Sequence, residues 1–170
     1  MLLSTYSNKR MKPIQEIVFE ARGRIIMDWI IKPFSELSGA EVYNILQARC
    51  EVFIVEQNCP YLDPDGALDT DAIHMFAHEK GKIAACCRIN RPGTKYAETS
   101  IGRVITTPQY RRIGIGKELM RRAIDYIGNA DIRISGQAYL QSFYESFGFN
   151  IVSEQYMEDD IPHYEMLRKA

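Results

Sequence analysis

The residues best placed to hold a ligand are Arg111-Arg112-Ile113-Gly114-Ile115-Gly116-Lys117. Gly114 and Gly116 carry no β-carbon, so the backbone can curl there and a ligand can come close. An amphipathic run follows, and the N-terminus of a helix gathers unpaired N–H groups and partial positive charge. Arg111, Arg112 and Lys117 add full charges beside it. Such a loop suits a phosphate or pyrophosphate. It is not a Walker loop: Arg111 stands where the first glycine is required and Glu118 where the Mg²⁺-binding hydroxyl is required. Nor is it a dinucleotide fingerprint, because Leu119 takes the third glycine position.

What remains, Arg-x-x-Gly-x-Gly over 111–116, resembles the acetyl-CoA pyrophosphate loop of the Gcn5-related N-acetyltransferase (GNAT) superfamily. Phe143-Tyr144-Glu145-Ser146-Phe147-Gly148-Phe149 is similar to the Phe-Tyr-x-x-x-Gly-Phe signature that closes many GNAT domains. The stretch from Gln47 to Gly66, Gln137-Ala138-Tyr139-Leu140-Gln141 and Asp160-Ile161-Pro162-His163 resemble the ElaA-like branch of that superfamily. Parts of 49–88 are also similar to acyl-homoserine-lactone synthases, which share the broader fold. The resemblance covers roughly residues 27 to 168. It implies a mixed α/β GNAT acyl-CoA N-acyltransferase fold, a mostly antiparallel sheet flanked by helices, with acetyl-CoA as co-substrate and no metal. It places Tyr144 beside the cofactor sulfur and gives the backbone of Val104, Ile105 and Thr106 to the pantetheine arm. The phosphates fall to Arg111, Arg112, Ile113, Gly114, Ile115, Gly116 and Lys117. Gln137 stands where many relatives carry an asparagine against the cofactor, so an amide is retained.

Acetyl transfer to an amine requires an uncharged nitrogen, an oxyanion partner and a proton for the departing thiolate. Tyr144 supplies the last: a phenol, with a reference pKa near 10, is protonated at neutral pH. Backbone N–H groups at the end of the 101–106 strand are the expected oxyanion donors. For the base, Glu56, His74 and His163 are candidates, with Asp63, Asp65 and Asp69 in reserve. Glu56 ends a helix in the ElaA-like stretch and ranks first. The aspartate-rich loop either attracts a cationic amine or turns the chain, and it lacks the spacing of a calcium-binding loop. His74 and His78 lie on a strand without the glutamate of a zinc protease. Cys50, Cys59, Cys86 and Cys87 form no Cys-x-x-Cys pair and read as small apolar residues, Cys86 and Cys87 pointing to opposite faces of one strand.

The elements that must position these groups follow from the pattern. A strand is expected at 27–32 and a helix from Ser35 or Ser38 through Arg49, with Cys50 to Val55 as a second helix. A loop spans 58–72, and strands at 73–79 and 82–90 meet in a tight turn at Lys80-Gly81. A strand at 100–106, the loop, a helix, a strand at 132–135, a helix within 137–147 and two last strands complete the order. Residues 27–170 are expected as one domain, and 1–26 as an extension, either preceding the native start at Met27 or loosely attached. With 46% hydrophobic residues, 25% charged and a net charge of −1, the chain fits a globular core and not a nucleic-acid or membrane binder. No apolar run nears the roughly 18 residues a membrane helix needs, and no export signal is evident, so a cytoplasmic location is expected. The acceptor is expected to be a small-molecule or peptide amine. Exposed edge strands would also offer a route to a homodimer. The alternatives are a longer-chain acyltransferase that makes a signal molecule and a catalytically silent acyl-CoA-binding module.

Overall fold

The structure, a computed structural model, describes residues 14–20 and 23–170. The expected extension 1–26 falls partly outside these residues; its described part is strand. Among the described residues, nine strands form one mixed sheet in the order β1-β2-β3-β4-β5-β6-β9-β7, with β8 also on β9. They are β1 (Ile14–Glu20), β2 (Gly23–Pro33), β3 (Ile73–Glu79), β4 (Lys82–Asn90), β5 (Thr99–Thr106), β6 (Ile132–Gln137), β7 (Asn150–Ile151), β8 (Tyr156–Glu158) and β9 (Ile161–Arg168). Every pairing is antiparallel except β5 with β6. The strand expected at 27–32 is thus the second strand of the sheet, paired with β1.

Helix α1 (Gly39–Arg49) starts at a capping box: Glu41 N–H donates to Ser38 Oγ (3.2 Å) and Ser38 N–H to Glu41 Oε2 (2.7 Å). The second helix expected after it is a π-helix, Cys50–Glu56, continuing directly from α1. Together with β3 and β4 they bury Ile45, Ala48, Val52, Phe76, Ile83, Cys86 and Ile105 on one face of the sheet. The opposite face is covered by α3 (Ile115–Ile127), which buries Ile115, Leu119, Met120 and Ala123 at helical spacing. Cys87, Ile89, Ile101, Ile132, Ile134 and Met166 face it from the strands. Cys86 and Cys87 therefore lie in opposite cores, where burial pushes the Cys86 thiol up to about 12 and raises that of Cys87 well above the ordinary thiol range. Two short helices, α2 (Ala67–Thr70) and α4 (Gln141–Glu145), complete the fold.

A closed ring of alternating charges fastens α1, the 58–72 loop and the centre of the sheet. Arg49 bridges Asp63 (2.7 Å) and Asp69 (2.8 Å), and Arg88 bridges Asp69 (2.8 Å) and Asp65 (2.8 Å). Arg103 closes the circuit to Asp65 and Asp63, both at 3.0 Å, the latter a contact of charge without an aligned hydrogen bond. Arg49 is 1% exposed, Arg88 2% and Asp63 0%. Charges so deeply withdrawn from water persist only when paired and hydrogen-bonded. Tyr61 donates its hydroxyl to Asp63 (3.0 Å), and the backbone N–H of Asp65 donates to Asp69 (2.8 Å). Arg103 reaches the ring from a β-bulge, where Arg103 and Val104 together oppose Cys87 and Arg103 takes φ +51°. The aspartates held in reserve as bases are thus spent on arginines.

Burial would raise the Asp69 carboxyl, but hydrogen bonds from Arg49, the Asp65 N–H and Arg88 outweigh it and hold the group well below the usual carboxylate range. A carboxyl lowered in the fold adds stability above its unfolded value, and that stability is lost as pH falls through the folded value. Asp69→Asn is therefore expected to cost about 3–5 kcal/mol at neutral pH, as for other broken buried pairs. The deficit should narrow once pH drops below about 3.9, the unfolded aspartate value. Urea unfolding of both proteins from neutral to acid pH checks this, and a deficit independent of pH would contradict it.

Candidate active site

Strands β5 and β6 pair only at Thr99–Ile132 and Ser100–Arg133. Beyond Ser100 they part, so the edge of 101–106 that faces β6 has no strand partner. Backbone N–H and C=O groups left there require a partner of another kind. The bulge at Arg103 bends β5 just where the separation begins.

At the far end of β5 the chain turns through Pro108–Tyr110 into the basic loop. Arg112 (φ +66°) and Gly114 (φ +89°) both take left-handed conformations, and Gly114 caps α3. This curls successive N–H groups around the helix start, as in an anion nest. Gly116 is required for a different reason: a β-carbon there would lie 2.9 Å from Thr106 Oγ1. The first turn of α3 is thereby set directly against the end of β5. Arg112, Gly114 and Lys117 are exposed, Ile113 is half-buried, and Ile115 is core. Loop and open strand edge form a continuous surface that fits a pyrophosphate and an extended, amide-bearing arm.

A cavity of about 90 Å³ opens between the parted strands, lined by Val104, Gln137, Leu140 and Tyr144 and, further in, by Asn90, Ser135, Glu158 and His163. Tyr144, on α4, is buried, and its ring rests on Gly136 of β6: a β-carbon on Gly136 would come within 3.0 Å of Tyr144 Cε2. Phe143 and Phe149 pack edge-on against the same ring. Burial raises its phenol well above the ordinary tyrosine value, so it is held protonated. Val104 lines the cavity, whereas Ile105 points into the core beneath α1. Gln137 exchanges amide hydrogen bonds with Gln57 (3.2 and 3.4 Å), joining the π-helix end to the end of β6.

Neither of the two first-ranked bases lines this cavity. Glu56 accepts both Nη groups of Arg111 at 2.7 Å, and this pairing lowers its carboxyl below the ordinary glutamate value. Arg111 also donates Nε to Thr106 O (2.9 Å), which fixes the loop to the end of β5. His74 is buried beside the charge ring, its Nε2 2.9 Å from Asp69 O and its ring against Phe34. Burial lowers its basicity. It faces a separate apolar cavity of about 190 Å³ under α1, away from Tyr144. His163 is the histidine that the fold brings to Tyr144. Its Nδ1 lies 2.8 Å from Ile161 O, and a carbonyl can only accept, so Nδ1 carries a proton and the lone pair of the neutral imidazole is the one on Nε2. Tyr156 stacks on the ring from β8. Asn90, Ser135 and Glu158 went unnoticed in the sequence. The signal was available for Asn90, a polar residue ending the apolar run of β4.

Residues 47–170 match the family model of the acetyltransferase (GNAT) domain. ElaA of Escherichia coli K12 is 38% identical over 150 residues, covering 85% of this chain and 98% of its own; its crystal structure superposes with TM-score 0.78. The structure of an acyl-CoA N-acyltransferase from Pseudomonas aeruginosa is 40% identical, with TM-score 0.80 over 84% of this chain and 99% of its own. A GNAT family acetyltransferase from Elizabethkingia anophelis with acetyl-CoA bound shares the fold at 14% identity, TM-score 0.54, over 84% and 98% of the two chains.

The close approach at Gly116 yields a direct test. Gly116→Ala is expected to lower stability by about 1–3 kcal/mol through overpacking. Adding Thr106→Ala should restore most of it. Thermal unfolding of the single and double variants decides, and a single variant as stable as the parent would contradict the contact.

Proposed function

The chain belongs to the GNAT acetyltransferase family, with ElaA among its relatives, and from this footing we propose that it transfers the acetyl group of acetyl-CoA directly to a primary amine. The observation that carries the reading is the parting of β5 and β6, which leaves an unpartnered strand edge that borders a cavity lined by Val104 and Tyr144 and ends at the 111–117 loop. A relative of the same fold holds acetyl-CoA.

The residues divide the work. The 111–117 loop and the start of α3 hold the phosphates, and the open edge of Val104–Thr106 orients the arm and offers N–H groups to the oxyanion. His163 Nε2 takes a proton from the incoming ammonium, replacing Glu56 and His74 as the base. The freed amine forms the C–N bond as the C–S bond breaks. Tyr144 gives its proton to the departing sulfur and recovers one from the nitrogen, so the net proton released is the one His163 took. A buried phenol above its usual pKa is a reservoir of that proton, not a source of spontaneous ionisation.

Tyr144→Phe should lower kcat about 10²-fold or more with acetyl-CoA affinity little changed. His163→Gln should lower kcat/KM comparably, and Glu56→Gln far less. Thiol release, paired with acetyl-CoA binding for each variant, provides the readout. Unchanged turnover in Tyr144→Phe would sink its assignment, and a larger loss of kcat/KM in Glu56→Gln than in His163→Gln would return the base to Glu56.

A further inference from the structure

The inner cavity carries polar groups that the chain itself does not satisfy. Asn90 is 2% exposed, and its Nδ2 donates to Ser100 Oγ (3.3 Å), yet its Oδ1 has no partner. Glu158 accepts Ser135 Oγ–H (2.9 Å), while Ser135 in turn bonds the Tyr156 hydroxyl. No cation among the described residues pairs with Glu158. Asn90 Oδ1 is a buried acceptor that awaits a donor, and left unmade it costs its full desolvation; the half-buried Glu158 carboxylate, which already accepts Ser135, can accept more. An ammonium, with three donors and a positive charge, answers both.

Donors without partners lie along the neighbouring wall. Arg88 spends Nη1 on Asp69 and Nη2 on Asp65, but its Nε, buried in a side chain 2% exposed, has none. Arg88 and Asn90 are two apart on β4, on the same face, about 7 Å along the strand. The ring to which Arg88 belongs balances three arginines with three aspartates, so it contributes a donor without net charge. Lys95, over the Tyr96 ring at the cavity rim, contributes the positive charge.

From this juxtaposition we infer that the acceptor is a small amino-carboxylate, a compact zwitterion. Its ammonium is held by Asn90 Oδ1 and Glu158 within reach of His163, and its carboxylate by Arg88 Nε and Lys95. The inference rests on the acyltransferase reading and narrows its substrate. A carboxylate-free amine would leave Arg88 Nε unmade. A large ring-bearing amine exceeds the cavity.

The test compares amines matched but for the carboxylate. Thiol release from acetyl-CoA is followed with glycine, alanine and lysine against methylamine, ethylamine and cadaverine, and acetyl-CoA binding is measured calorimetrically on the same preparation. At least one acid should exceed its decarboxylated partner tenfold or more in kcat/KM. Lys95→Ala should reduce that ratio several-fold, and Glu158→Gln should raise KM for the acid while acetyl-CoA binding stays intact. Circular dichroism of both variants secures that they are folded. Decarboxylated amines that serve equally well, or acetyl-CoA binding without turnover of any of the three acids, would overturn the inference alone. Failure to bind acetyl-CoA would overturn the acyltransferase reading and this inference with it.

Discussion

Three arginines and three aspartates, each touching two of the opposite sign, hold the active half of the molecule together. The ring joins the end of α1, the 58–72 loop, β4 and the bulge of β5. No member can leave without stranding a charge in a place where water is scarce. Its neutrality matters as much as its closure. An isolated Arg88 or Arg103 would put a net positive charge on the cavity wall; balanced by aspartates, they leave that wall without one. The same ring gives a reason for a β-bulge at Arg103, because the extra residue turns that side chain toward Asp63 and Asp65.

The second constraint is the parting of β5 and β6. Two paired residues are enough to start the parallel contact, and the bulge then bends β5 away while Tyr144 fills the angle against Gly136. The opening is therefore built into the packing and needs no separate movement. Gly116 sets α3 on the end of β5, Arg111 ties the loop to Thr106 O, and Gln57 joins Gln137 on the other side. Loop, open edge and phenol are placed by three different kinds of contact around one gap.

Much of this was legible in the residues. The turn at Arg111–Gly114, a cap at Ser35 or Ser38, the strands around Lys80-Gly81 and the opposed faces of Cys86 and Cys87 follow from local spacing, and the structure has each, with the cap at Ser38; the role of Tyr144 came from the family resemblance. The ring was not legible, because its ion pairs join residues 14 to 40 positions apart and pattern rules see only neighbours. A hint was present in Arg88 and Arg103, single charges inside apolar strands, where a cation must find a buried partner. The partners of Glu56 and His74 were hidden for a related reason: their types suit a base, and only the fold shows that Arg111 and the Asp69 carbonyl engage them. His163 became distinct only when β9 was seen to lie beside β6 and β8 together. Met27–Lys32 stands out as the first strand because the residues before it are mixed, basic in patches and outside the part that resembles the family.

The central claim is that the gap between β5 and β6, with the 111–117 loop, is an acyl-CoA site. Calorimetric titration of the protein with acetyl-CoA tests it most directly, with a Gly114→Val variant as control, since a β-branched residue at φ +89° distorts the nest while leaving the rest of the fold in place. The account predicts saturable one-to-one binding by the parent and at least tenfold weaker binding by the variant. Absence of binding by the folded parent, or equal affinity in both proteins, would contradict it.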